Sequence, residues 1–268
     1  MMKSKQIGLI SLILFIFLTE GCFLLENLVD SKITFDKNSK VATGDMDDIY
    51  GGTGSSSMTL PPNNFRYPGL KFLAWNTEPD GTGKSFLDEA DVIITGEDTL
   101  YAIWRKYLPG DRGPANGYIF YVNPIFDSSW WYLEANSSYL NPIQWAKIGD
   151  FFGARGELLG DGKQNTIDIL AFDSGSNAAT IVNNFSVTYD NTVFNDWYLP
   201  SVDELVIIEE NQYEYYSFYW DIERNTFWSS TNGTTEYGWC VKLDSTSTEK
   251  DYALKSREYK ILPIRQFK

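Results

Sequence analysis

The spacing of apolar and polar positions changes several times along the chain, and each spacing predicts a different element. Residues 7–18 are predominantly apolar and follow Lys3 and Lys5. A run of about a dozen is too short for a permanent membrane helix and fits the apolar core of an export signal. Further on, Phe72, Ala74 and Asn76 alternate with Leu73, Trp75 and Thr77, the period of a strand. Aromatic-rich stretches at 118–121 and 130–135 predict two more strands, as do 226–231, 236–241 and 259–267. The stretch 195–205, Asn-Asp-Trp-Tyr-Leu-Pro-Ser-Val-Asp-Glu-Leu, reads as a strand end running into a helix. Trp197, Tyr198 and Leu199 favour strand, Pro200 ends any ladder, and Ser201 with Glu204 forms a capping box. Beyond it Leu205, Ile208 and Tyr215 recur near one face, with Glu209, Glu210 and Glu214 between them, as in an amphipathic helix. Shorter helices are predicted around 166–171 and 177–185.

Turn chemistry divides the remainder. The Gly/Ser-rich stretch 51–57 interrupts a first module, and Pro79-Asp80-Gly81-Thr82-Gly83 is a turn. Pro109-Gly110 marks a linker at 105–112. The expected organisation is an export signal at 1–22, a tether at 23–32, a first module at 33–104, the linker, and a second domain at 113–268.

Composition narrows the chemistry. The chain has 36 Asp+Glu against 22 Lys+Arg, a net charge of −14, and no histidine. Both halves are acidic, residues 33–104 at −6 and residues 105–268 at −8, so neither attracts nucleic acid or another polyanion. Without histidine there is no Ser-His-Asp or Cys-His machinery and no His-ligated zinc. The two cysteines, Cys22 and Cys240, provide no disulfide framework. Cys240, within Tyr-Gly-Trp-Cys-Val-Lys-Leu, is expected to pack as a small hydrophobe.

Three resemblances add to this reading. Leu18-Thr19-Glu20-Gly21-Cys22 resembles a bacterial lipobox, departing from it at Glu20 and in the early placement of Leu18. The resemblance implies cleavage before Cys22, lipidation of that residue (palmitate among the acyl chains), and anchoring at the cell envelope, in the outer membrane or at the cell surface. Ile33-Thr34-Phe35-Asp36, Pro68-Gly69, Phe72, Trp75-Asn76-Thr77, Asp80-Gly81, Gly83 and Asp98-Thr99-Leu100-Tyr101-Ala102 with Trp104 resemble, in that order, the internalin-type B-repeat, also called the Listeria–Bacteroides repeat. That family implies a small β-grasp-like module, a spacer or interaction unit of extracellular proteins. The acidic, glycine-rich insert at 38–57 departs from its shorter link. Asp196-Trp197-Tyr198-Leu199-Pro200-Ser201 with Glu204-Leu205, Phe227-Trp228-Ser229-Ser230 and Ile264-Arg265-Gln266-Phe267 resemble the C-terminal domain of Legionella collagen-like adhesins. This implies a C-type-lectin-like α+β domain over 113–267. The overall class is therefore α+β and rich in β structure.

Few side chains present themselves for chemistry. Gly81-Thr82-Gly83-Lys84-Ser85 lacks the first glycine of a phosphate loop, and Asp45-Met46-Asp47-Asp48 lacks the glycine and distal Glu of a calcium loop. Asp196, Asp203 and Glu204 could supply an acid–base pair, but capping and the helix dipole already account for Glu204 and Asp203. Trp197, Trp228 and Trp239 read as core. Trp130, Trp131 and Tyr132 are the candidate ligand platform, because adjacent residues of a strand face opposite ways and one Trp would be exposed. No cofactor, metal site or catalytic residue is expected. The expected partners are a membrane, through the N-terminal lipid, and a host or matrix protein or glycan bound without catalysis; the alternatives are a structural or assembly component of the cell envelope and, third, an enzyme on the lectin-like scaffold.

Overall fold

The computed structural model describes residues 30–53, 56–94, 96–125, 129–215, 225–244 and 247–268. Cys22 and the export signal lie outside them. The chain divides into two compact units at Lys106/Tyr107. By residue count it is β-rich with few helices.

The first unit is built on β1 (Asp30–Asp36) and β7 (Glu97–Lys106), which pair in parallel at the centre of a mixed sheet. Around them lie β2 (Ile49–Thr53), β4 (Leu70–Asn76) and β5 (Ser85–Phe86), in the order β2-β1-β7-β4-β5. A separate pair joins β3 (Ser56–Thr59) to β6 (Asp91–Ile94). Three expectations are corrected here. The glycine-rich stretch 51–57 is not simply an interruption, because β2 and β3 take up its described residues. The tether ends earlier than 32, because β1 already runs from Asp30, with Ser31 Oγ donating to Ile94 O. Likewise Arg105 and Lys106, read as the start of a linker, are the last residues of β7.

In β4 the predicted alternation fails at one place. The register against β7 slips between Phe72 and Ala74, leaving Leu73 half exposed while Ala74, Trp75 and Asn76 are all buried. This bulge turns Phe72 onto the Trp75 ring, 4.9 Å away, in the cluster that also holds Ile33, Phe35, Leu60 and Leu100. Buried Asn76 holds the following turn through Gly81 O and Gly83 O, so the stretch resembling a phosphate loop is a hairpin turn.

Among the described residues, the second unit has a five-stranded sheet, a three-stranded sheet, a two-stranded hairpin and three helices. The larger sheet runs β10 (Leu140–Gln144), β16 (Glu258–Ile261), β13 (Asn225–Asn232), β14 (Tyr237–Asp244), β15 (Ser247–Leu254). The smaller places β9 (Tyr132–Ala135) between β17 (Ile264–Phe267) and β8 (Tyr118–Val122), so the unit's first and last strands share a sheet. The hairpin β11 (Val187–Tyr189) and β12 (Thr192–Phe194) leads to the organising stretch. The helices are α1 (Gly162–Phe172), α2 (Ala178–Asn183) and α3 (Val202–Tyr215).

Two of the second unit's apolar cores lie on opposite sides of a central layer, and strand period sorts neighbouring residues between them. Trp228, Cys240, Ile261, Trp197 and Leu199 join the core that α1 and α2 cover. Their neighbours Phe227, Val241, Leu262 and Tyr198 join the core beneath α3. Because β13 is buried on both faces, Phe227, Trp228, Ser229 and Ser230 are all fully buried. In α3 the inward stripe is Val202, Leu205 and Ile208, and it also carries Glu209 inward, which the sequence placed on the polar face.

Candidate functional site

A polar cluster gathers around the organising stretch, built on two buried carboxylates, Glu204 and Glu134, and the exposed Asp196. The capping box forms as predicted: Ser201 N donates to Glu204 Oε2 at 2.7 Å, and Glu204 N donates to Ser201 Oγ at 3.2 Å. Glu204 does more than cap. Its Oε1 also accepts from Gly160 N at 2.9 Å and from Tyr198 Oη at 3.4 Å, tying the loop before α1 to the strand before α3. Burial pushes the Glu204 carboxyl up to about 7, against the pull of these donors. The Tyr198 hydroxyl, buried beside that carboxylate, is held well above its ordinary range. A Cβ on Gly162 would lie 2.3 Å from Glu204 Oε2, so only glycine lets α1 begin there.

The second position is Glu134, fully buried on β9 and directly opposite Arg265 on β17. Glu134 Oε1 accepts from Ala115 N and Gly117 N, and Oε2 from Arg265 Nη1 at 2.8 Å. Asp196 completes the triad, meeting Arg265 Nε at 2.8 Å and Nη2 at 3.0 Å. Burial raises the Glu134 carboxyl, and Arg265 opposes the rise. Asp203, the remaining candidate acid, pairs with Lys250. Each carboxylate weighed for catalysis is thus engaged in joining elements: Asp196 to β17, Glu204 to the loop at 160, Asp203 to β15.

The proposed aromatic platform is not assembled. Trp130 and Trp131 do face opposite ways, Trp130 packing on the core under α3 and Trp131 on the cluster of Tyr107, Ile119 and Tyr132, but both are half-buried. Tyr132 is fully buried, its ring 5.2 Å from Tyr107 and 5.1 Å from Phe267. It is a core residue and cannot stack on a ligand. The strand expected over 130–135 begins only at Tyr132, so alternation does not place Trp130 and Trp131, and nothing in the sequence shows that Tyr107 and Phe267, distant in it, cover Tyr132.

Aromatic surface is found instead on β14 and β15. Trp239 and Tyr252 are cross-strand partners with ring centroids 3.7 Å apart, and Tyr237, two residues before Trp239, shares their face. Tyr252 is 48% exposed and Tyr237 39% exposed. The alternation of 237 and 239 was visible in the sequence, but their partner across the strand was not.

Cys240 is buried, donates to Asp251 O, and has its thiol pushed up to about 12 by burial. It packs as a small hydrophobe, as expected, with no thiolate at neutral pH. Among the described residues no three Asp, Glu or Cys side chains gather in a way that could hold a metal ion. An open cleft of about 190 Å³ in the first unit is lined by Phe35, Asp36, Lys37, Asp45, Met46 and Phe65. Its Lys37 reaches Gly44 O.

Residues 32–103 match the family model of the Listeria-Bacteroides repeat domain, nearly all the described residues of the first unit. No curated protein matches the chain. Among solved structures, a fimbrial protein from Bacteroides ovatus is similar over 89% of this chain and 69% of its own, at 10% identity and a TM-score of 0.38. That similarity in shape is too slight to argue from.

Proposed function

We propose that this is a lipid-anchored bacterial surface protein that binds rather than catalyses. A Listeria–Bacteroides repeat unit spaces a lectin-like binding domain away from the membrane. The observation that carries the reading is the repeat at 32–103, ten residues beyond a stretch with the charge, apolar run and Gly-Cys order of an export signal with lipobox. Cys22 is the lipidated residue in this reading, and several acyl chains give a stable anchor where one would not.

The architecture of each unit is in keeping with it. The parallel pairing of first and last strands at the centre of a mixed sheet supports a β-grasp-like first unit. A sheet shared by the first and last strands of the second unit supports a C-type-lectin-like domain resembling that of the Legionella adhesins. The non-catalytic role draws support from the engagement of Asp196, Asp203 and Glu204 in structural contacts and from the buried, protonated Cys240 thiol. The ligand class is a host or matrix protein or a glycan.

Two measurements test the proposal. Labelled palmitate should enter the wild-type protein and not Cys22→Ser, and protease added to intact cells should remove the protein. A protein that takes no label, or that intact cells shield from protease, refutes the surface-anchored reading.

A further inference from the structure

The Tyr198 hydroxyl stands between two acceptors that it cannot serve at once. Its Oη lies 3.4 Å from Glu204 Oε1 and 3.4 Å from Gln266 Oε1, and a phenol carries a single proton. The three groups come from different elements. Glu204 lies in the first turn of α3, and Gln266 belongs to the closing strand β17. Tyr198 is bridged to that strand, Tyr198 N donating to Ile264 O at 2.8 Å and Ile264 N to Tyr198 O at 3.1 Å. The backbone on both sides of the hydroxyl is thus held. What is left to move is protons and the Gln266 amide.

The state of Glu204 decides how the hydroxyl proton is used. Its carboxyl accepts from the backbone on both oxygens, Oε2 from Ser201 N and Oε1 from Gly160 N. An ionised Glu204 can only accept, so Tyr198 donates to it, and Gln266 meets Tyr198 Oη with its Nε2. A protonated Glu204 has a donor of its own and gives it to Tyr198 Oη. Tyr198 then donates to Gln266 Oε1, the atom that faces it in the structure. Each state pairs all three groups, with the direction of donation reversed. Burial, which pushes the Glu204 carboxyl up to about 7, brings the change into the neutral range. Tyr198, held well above its ordinary range, keeps its proton throughout. The charged groups around the chain are engaged elsewhere: Asp196 and Glu134 with Arg265, Asp203 with Lys250, and Asp161 with Leu158 N.

We propose that Glu204, Tyr198 and Gln266 form a pH-sensitive switch, in which protonation of Glu204 reverses the hydrogen bonds along the chain and turns the Gln266 amide over on β17. Gln266 is half-buried, so the turn exchanges the group on its outer side, a donor in acid and an acceptor in base. The test is NMR of the purified full chain labelled with 15N-glutamine and 13C-carboxyl glutamate, titrated from about pH 5 to about pH 9. Glu204→Gln and Gln266→Leu assign the two resonances by their loss. The Gln266 side-chain amide should shift with the same midpoint as the Glu204 carboxyl, near 7. In Glu204→Gln that shift should vanish. In Tyr198→Phe the carboxyl should still titrate while the amide no longer follows it. A Glu204 that does not titrate in this range, or an amide indifferent to its titration, overturns the switch. So does an amide that still follows Glu204 in Tyr198→Phe. The first two results are read in the wild-type protein, so the test holds even where Tyr198→Phe fails to fold.

Discussion

Replacing Arg265 by Met isolates the energetics of the Glu134–Arg265–Asp196 triad. The substitution removes the 2.8 Å contact to Glu134 and both contacts to Asp196. The two carboxylates then fare differently. Asp196 keeps 41% of its side chain exposed and is rehydrated at little cost, whereas Glu134 has none exposed. Glu134 would keep only the amides of Ala115 and Gly117 as donors. Stranding a buried charge in this way costs about 3–5 kcal/mol. The loss should depend on pH. Burial already raises the Glu134 carboxyl, and removing Arg265 takes away what opposes the rise. A raised carboxyl contributes stability that is present below its unfolded value and lost as pH rises through its folded one. The deficit of Arg265→Met should therefore be largest near pH 8 and shrink towards pH 5. Adding Glu134→Gln should recover part of it at pH 8, because a neutral amide accepts from the same two N–H groups without carrying a buried charge. Urea unfolding at both pH values, with hydrogen exchange of the β9 and β17 amides to localise the effect, measures this. A deficit below about 1 kcal/mol at pH 8, or one equal at the two pH values, would refute the reasoning.

Glu204 titrates near 7 in the folded protein against 4.5 for the free group. Stability should accordingly fall as pH rises from 4.5 through 7, by about 3 kcal/mol from this group, and carbon-detected NMR of its carboxyl should show the midpoint near 7 rather than near 4.5. Lys255 is shifted the other way, lowered to about 8 by burial. Its contribution is present above 10.5 and lost as pH falls through 8, so wild-type stability relative to Lys255→Met should climb between pH 8 and 10.5. Gly162→Ala places a methyl within 2.3 Å of Glu204 Oε2 and 2.7 Å of Ser201 N. It should cost about 1–3 kcal/mol, read as a lower melting temperature. Cys240 should resist iodoacetamide at pH 8 in the folded protein and react once urea exposes it; equal rates would contradict its burial.

Sequence reading went furthest where the cause is local. A capping box needs only residues three apart, and Ser201 with Glu204 forms one. The three helices stand close to where their patterns placed them, although α1 begins at Gly162 rather than 166. The order of short motifs over 33–104 pointed to the repeat whose family model matches 32–103, without any coordinates. The failures share one cause, contact between residues far apart in the chain. Nothing near Tyr132 announces that Tyr107 and Phe267 will close over it. Glu209 looks like a surface residue until the position of α3 turns its side inward.

By itself, the sequence determined the sheet-rich composition, the lack of imidazole chemistry, the acidic surface and the local signals that start and stop elements, because these depend on residue type and short spacing. Only the tertiary structure decided that Arg265 lies between Glu134 and Asp196, that Glu204 ties a loop as well as capping a helix, and that Tyr252 stands beside Trp239. Such pairings follow from strand register and from which faces are buried, and these are set when the whole core is packed at once.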